Sequence, residues 1–475
     1  MTDLLHRFSA LDLQTKYRAH ALSPVEVTQH LIKHAEKVQS KHNCFLAMCP
    51  EHALEQAKKA EKKLMSGQPC APLTGIPFTV KDIVNTQGLT TTFGAVPMRN
   101  NIPEHDALIV KRMRAAGAIL LGKTTTPEFG TAGMTESPLF GKTSNAWDTG
   151  RTCGGSSGGA AVAIACGVGP LAIATDGGGS TRIPAACNGV VGIKQSSGVI
   201  PHSQVLDKFG NQTYVTPMTR TVADTALMLN AVAGGDACDP TSIGLERQDF
   251  LASIHHRHDL KGLKFLHCQV PEGFPIDVDV QRCFESTLER LKDMGAEVFP
   301  FDPSGLNVLS TWHVINHTVW LTRFKTLAEQ HREQFSEIFL RQLDSARQYS
   351  AMDYQLAMNV RTQLFDRVQS LIQPDTYLVM PTLTRTALPL HQNFLGEMEI
   401  AGLSVPNIRA HWYPWTMLFN MTGHPAISIP CGFGSDGLPI GLHLVGGFRK
   451  DAELLQVSQC VENSLGLTAF WPEGI

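Results

Sequence analysis

Two serines held in glycine-rich turns carry the strongest chemical signal in the chain. Ser156 sits in Gly154-Gly155-Ser156-Ser157-Gly158, and Ser180 closes Gly177-Gly178-Gly179-Ser180, 24 positions further on. Runs of Gly and Ser leave backbone N–H groups free to point into a shared cavity. Gly177, Gly178, Gly179 and Ser180 can offer consecutive donors to the negative oxygen of a tetrahedral intermediate, and a serine alkoxide beside such donors is the equipment of acyl transfer. The same letters also make purely structural turns, so each motif is weighed with its surroundings.

Two other motifs compete. Gly117 to Thr124 (GAILLGKT) matches the phosphate-loop expression G-x-x-x-x-G-K-[ST] letter for letter. A phosphate loop must expose its N–H groups, follow a strand and open a helix, whereas Ala118 to Leu121 is an apolar run suited to a buried strand after a helix that ends near Gly117. Lys123 is therefore read as structural, with nucleotide binding as a lesser alternative. Gly154 to Gly158 also satisfies the G-x-S-x-G elbow of α/β-hydrolases, but that elbow needs a buried strand before it and NAWDTGRTC is polar and turn-like. No Asp-then-His pair marks itself out afterwards among the nineteen histidines.

The elements that must position the serines follow from patterning. Ser23-Pro24-Val25-Glu26 has capping-box spacing with Pro at the first helical position, and Val27, Leu31, Ala35 and Val38 repeat on one face. Glu51 to Met65 predicts a second, polar helix whose lysines form a solvated face. From Pro72 to Gly198 short apolar runs (GIPFTV, AILLG, PLAIAT, GVVGIK) alternate with glycine turns and helix-like stretches, which predicts a mixed α/β sheet with buried strands. Residues 206–416 read as mainly helical, with TLAEQHREQFSEIFLRQL one of several long amphipathic patterns. Strand-like runs return at Tyr377 to Pro381, AISIPCGF and PIGLHLVG, so the sheet draws on both ends of the chain, as one interwoven domain does.

Composition narrows the partners. With 475 residues, 43% of them apolar and 17% charged, and a formal charge of -3, the chain has no basic excess that would suggest nucleic acid or a membrane, and a small molecule is the expected ligand. The first residues lack the apolar stretch of a secretory signal, which predicts a cytoplasmic protein. The eleven cysteines contain no C-x-x-C pair, against both a disulfide framework and a zinc site.

RTCGGSSGGAAVAIACGVGPLAIATDGGGSTRIPAACNGVVGIK, from Arg151 to Lys194, resembles the amidase signature, whose usual form is GGSSGG, an apolar stretch, then TDxGGSxRxPA and GxVGxKP. Gly75 to Asp82 (GIPFTVKD) resembles the family's GIPxxVKD element, which carries its catalytic lysine, and NMTGHPAISIPCGF and GLPIGLHLVG resemble its last strands. The resemblance implies one α/β domain over residues 1–475, an α/β/α sandwich around a mixed, mostly buried sheet. Within it, 70–200 is the signature core, 206–416 a more helical variable region lining the substrate pocket, and 417–475 the returning strands. It further implies Lys81 as base, Ser156 as proton relay on a cis peptide after Gly155, and Ser180 as nucleophile, with an oxyanion hole from Gly177, Gly178, Gly179 and Ser180. Ser157, Asp176 and Arg182 match supporting positions, and no metal or organic cofactor is implied. A lysine amine, with an ordinary pKa of about 10.4, works as a base near neutrality only when desolvated, and the apolar GIPFTV strand can supply that. Asp82, next along the strand, should face the other way and be structural.

The sequence departs from the pattern at Cys153 and Gln195, where proline is usual; neither is one of the three catalytic positions, and Cys153 has no neighbour that would stabilise a thiolate. Trp312, Trp320, Trp412, Tyr413 and Trp415 are candidates for an apolar pocket or for core. The implied activity is hydrolysis of small aryl or alkyl amides, extending to esters or carbamates, by a monomer or homodimer. The alternative within the resemblance is a glutaminyl amidotransferase subunit that works with partners, which commonly has glutamine where this chain has Ile183.

Overall fold

The computed structural model describes residues 2–475, with side chains from residue 4 onward. Its centre is an 11-stranded sheet. From one edge to the other the strands are Phe45–Met48, Ile119–Thr124, Pro77–Lys81, Leu171–Asp176, Tyr214–Thr219, Val191–Lys194, Ala426–Phe433, Pro439–Val445, Thr376–Pro381, Lys264–His267 and Glu297–Pro300. The Pro77–Lys81 strand runs parallel to both its neighbours, the three strands at the far edge run parallel to one another, and the middle of the sheet is antiparallel. Helices flank this mixed sheet, as the sequence patterning predicts. Among the described residues no helix is long and apolar enough to cross a membrane.

Local chemistry explains the elements nearest the serines. The helix Pro24–His42 begins with the expected box: Ser23 Oγ accepts from the N–H of Val25 at 2.9 Å, and Glu26 reaches back to the N–H of Ser23. Its face of Val27, Leu31, Ala35 and Val38 is buried in the main core. The predicted polar helix is Pro50–Met65. Gly158–Ala165, which carries the chain from one serine turn towards the other, is buried at every residue. It lies so close to the sheet that a Cβ on Gly159 would stand 2.3 Å from Thr125 Oγ1, so glycine there is a packing requirement.

Residues 206–416 differ from the helical expectation in two ways. Besides the expected strand at Thr376–Pro381 they supply three more strands of the main sheet, including Tyr214–Thr219 in its interior. That strand contains Pro217, which argues against a central strand because proline cannot donate to the ladder. Here Pro217 pairs with Ile173 on one side, while the pairing with Val191–Lys194 reaches only Met218 and Thr219. The amphipathic run at 326–343 is also not one helix. Leu309–Gln330 ends, and Glu337–Ala346 restarts behind Ser336, whose Oγ accepts from Phe339 N–H and whose own N–H donates to the buried Glu128 carboxylate at 3.1 Å. A buried acceptor from a distant loop thus outweighs local periodicity.

The phosphate-loop lookalike resolves as structure. Helix Leu108–Ala115 ends, the chain turns at Gly117 with φ of +86°, and Ile119–Thr124 is a buried strand. Lys123 Nζ donates to Val84 O at 2.6 Å, Thr91 Oγ1 at 2.8 Å and Thr86 Oγ1 at 3.1 Å, and lies 3.7 Å from Asp82 Oδ1. Asp82 accordingly serves this neighbour and not Lys81. Burial works against both charges, pushing Lys123 down to about 8 and the Asp82 carboxyl upward, and their contact offsets part of that. Removing one partner of a buried pair strands the other, so Lys123→Met is expected to cost about 3 kcal/mol or more, read as a lowered urea midpoint at constant m-value.

Candidate active site

Lys81 ends a strand that is buried throughout, beside the end of the parallel strand Leu171–Asp176. Open α/β sheets place their ligands at such carboxyl ends. The fully buried Lys81 Nζ lies 2.7 Å from Ser156 Oγ and donates to Thr175 Oγ1 at 2.8 Å. Burial holds its amine well below the ordinary lysine range, with the Asp176 carboxylate countering part of the effect. Ser156 follows a cis peptide bond to Gly155. Gly130, at φ of +72°, backs this pair: a Cβ there would stand 3.2 Å from Ser156 Oγ and 3.8 Å from Lys81 Nζ. Ser157 Oγ donates to Thr175 O at 3.1 Å and accepts from Thr175 N–H at 3.3 Å, joining the Ser156 turn to the strand end that carries Asp176.

The Ser180 turn is organised by Asp176 and Arg182, both fully buried. Arg182 Nε donates to Asp176 Oδ2 and Nη2 to Oδ1, both at 3.0 Å. Burial would raise the Asp176 carboxyl, but the guanidinium and the donors around it hold it far below the usual carboxylate range. Two of those donors are the N–H groups of Gly179 at 2.7 Å and Thr181 at 3.2 Å. Gly179 is thereby removed from the expected set of four oxyanion donors, because its N–H is spent on Asp176. The N–H groups of Gly177, Gly178 and Ser180 donate to no acceptor among the described residues.

Every carbonyl in this turn is tied down. Asp176 O accepts from Asn420 Nδ2 at 3.0 Å, Gly177 O from Trp312 Nε1 at 3.0 Å, and Gly178 O from Thr416 Oγ1 at 2.8 Å. Gly179 O accepts from Ile183 N–H and Ser180 O from Ser157 N–H. In a trans peptide the C=O and the following N–H point in opposite directions, so each tie fixes one N–H vector. Glycine is required for this approach: a Cβ on Gly178 would stand 3.0 Å from the Trp312 ring, and one on Gly179, at φ of +113°, 2.4 Å from Thr416 Oγ1.

Ser156, Thr175, Gly177, Gly178 and Ser180 open onto one cavity of about 570 Å³. Of the five aromatic candidates, Trp312, Trp320 and Tyr413 line it together with Phe93, Phe129 and Phe324. Trp412 and Trp415 do not; each is buried in a core cluster and satisfies its indole N–H on a carbonyl, that of Arg385 and Gln269 respectively. Cys153 is buried with its thiol pushed up to about 12 by desolvation, which fits the absence of a thiolate partner in the sequence. Gln195 is buried too, where its backbone carbonyl accepts from Lys194 Nζ at 2.9 Å and its Nε2 donates to Val215 O. Thr175, Asn420 and His443 lie inside the resembling blocks without a role read for them, and Thr416 lies outside them; only the fold brings all four to the two turns.

Comparison with known proteins shows the family and the fold. The Amidase family model matches residues 26–455. An acylamidase of Rhodococcus erythropolis is 35% identical over 456 residues, covering 96% of this chain and 94% of its own. The glutamyl-tRNA(Gln) amidotransferase A subunit of Alkaliphilus metalliredigens is 31% identical, with 99% of both chains covered. In three dimensions the chain is similar to a bacterial aryl acylamidase of the amidase signature enzymes, with TM-score 0.89, 27% identity and 98% and 99% of the chains covered. A 6-aminohexanoate cyclic dimer hydrolase gives TM-score 0.88 at 26% identity, with the same coverage.

Asp176→Ala leaves the Arg182 charge buried without its partner. The expected cost is about 3–5 kcal/mol, measured as a fall in urea or thermal midpoint. Ser180→Ala, which removes one hydroxyl at the cavity wall, should stay within about 1 kcal/mol.

Proposed function

The chain belongs to the amidase signature family, whose chemistry is amide hydrolysis, and we propose that Ser180 is its nucleophile, Ser156 the proton relay and Lys81 the base. The observation that carries this reading is the 2.7 Å approach of a fully buried lysine amine to Ser156 Oγ on the wall of the cavity that Ser180 also lines. A neutral amine has two N–H groups and one lone pair. Donation to Thr175 Oγ1 uses one N–H and leaves the lone pair available to Ser156. Ser180 Oγ attacks the amide carbonyl while its proton passes through Ser156 to Lys81, and the C–N bond breaks as the lysine returns that proton to the leaving amine. Water then cleaves the acyl-enzyme by the same route. The N–H groups of Gly177, Gly178 and Ser180 are the available donors to the oxyanion. Desolvation is the reason Lys81 can be a base near neutrality.

The apolar rings of the cavity suit a small aryl or alkyl amide, and the same acylation would cleave an ester or a carbamate. The similarity to amidotransferase A subunits supports a second reading, a subunit that works with partners. Turnover by the isolated chain decides between them.

Two measurements test the assignment. A serine-directed fluorophosphonate should add once to the wild-type chain, as seen by intact mass, and not to Ser180→Ala; an adduct that persists in the variant overturns Ser180. With a p-nitroanilide substrate, log kcat/KM should rise with pH as Lys81 loses its proton and reach a plateau well below the ordinary lysine value. A rate still climbing at about pH 10 excludes a desolvated Lys81 as the base.

A further inference from the structure

The cavity holds a cation that the proposed mechanism does not use. Arg409 lines it, is 8% exposed, and has no carboxylate within ion-pair distance among the described residues. Its Nη2 donates to Thr131 O at 3.2 Å, and its guanidinium lies 4.4 Å from the centre of the Trp312 ring and 5.5 Å from that of Phe394. Its other N–H groups meet no acceptor among the described residues. Tyr413, fully buried, also lines the cavity, and its buried hydroxyl has no hydrogen-bond partner among the described residues. A second arginine, Arg323, lines the same cavity without an ion pair among the described residues. The one carboxylate on the wall, Asp207, is exposed and accepts from the N–H groups of its own loop, at Phe209 and Gly210.

A guanidinium does not escape burial by deprotonating, and its planar fork matches a carboxylate. Stacking on Trp312 and Phe394 offsets part of the desolvation and leaves the donors unfilled. The position is close to the chemistry from two directions. Trp312 ties Gly177 O, and Thr131 follows Gly130, which packs on Ser156.

We propose that Arg409, with the Tyr413 hydroxyl, is an anion subsite that selects amides bearing a carboxylate a few bonds from the scissile carbonyl. This rests on the amidase reading and refines its substrate class.

The test uses paired substrates on the full chain: succinic acid mono-p-nitroanilide against butyric p-nitroanilide, with the carboxylate on the acyl side, and 4-acetamidobenzoate against 4-acetamidobenzamide, with it on the amine side. In at least one pair the anion should be preferred in kcat/KM by about tenfold to a hundredfold. Arg409→Met should abolish the ratio, Arg409→Lys should restore part of it, and Tyr413→Phe should lower it. Equal rates within both pairs for the wild type, or a preference that survives Arg409→Met, overturns the subsite; a purely structural Arg409 would lower both members of a pair and leave their ratio unchanged. If Arg409→Met does not fold, the wild-type ratio and Tyr413→Phe still decide. Calorimetric binding of the same four compounds to Ser180→Ala separates the two readings. Tighter binding of the anions without wild-type turnover sinks the amidase reading and keeps the subsite, whereas turnover of the neutral anilide with no anion preference does the reverse.

Discussion

The site depends on one buried ion pair, Asp176 with Arg182. Taking both charges out of water is costly, and the pair is tolerable only because nearly every lone pair and N–H is filled. Asp176 receives Arg182 twice, the N–H groups of Gly179 and Thr181, and Asn420 Nδ2 at 2.9 Å. Arg182 uses its remaining reach on Asn420 Oδ1 at 2.7 Å and His443 Nε2 at 3.0 Å. Burial keeps His443 neutral, so it can accept that bond through a bare ring nitrogen. The pair therefore closes the serine turn and bolts it to the C-terminal part of the sheet in one network.

Charge is distributed so that this pair cancels within itself. Lys81, at its strand end, responds to desolvation by giving up its proton more readily, while the Asp176 carboxylate that counters this effect is already committed to Arg182. Were Asp176 free to pair with Lys81, the amine would stay charged and could not accept a proton from Ser156. Arg409 likewise has no carboxylate within ion-pair distance among the described residues, because the one acid on the cavity wall, Asp207, is held by the N–H groups of its own loop.

Much of this was legible in the residues. The box at Ser23, the buried strand at Ile119–Thr124 and the glycine turns around both serines follow from local rules, because capping, apolar burial and positive φ are properties of short segments. The structural role expected for Asp82 holds in its contact with Lys123, although it stands in the turn just past the strand and not on it. What local rules missed depends on partners far along the chain. Trp312 lines the cavity while Trp412 and Trp415 fill core, and nothing in their immediate neighbours distinguishes them. The oxyanion set looked like four equivalent donors until Asp176 took one, and the break at Ser336 is set by Glu128 from another loop. Arg409 stands in IRAHWYPW, where its lack of a counter-charge is invisible without the surrounding fold.

The chain order of the site has a consequence for synthesis. Lys81, Ser156 and Ser180 are all made early, but the side chains that aim the N–H groups of the serine turn, Trp312, Thr416 and Asn420, come much later, and the Pro439–Val445 strand that carries His443 comes last. Domains fold as units once their contacts exist. A nascent chain on the ribosome thus carries Ser180 long before it carries the side chains that fix the N–H groups around it, and the turn gains its final geometry only when the closing strands emerge.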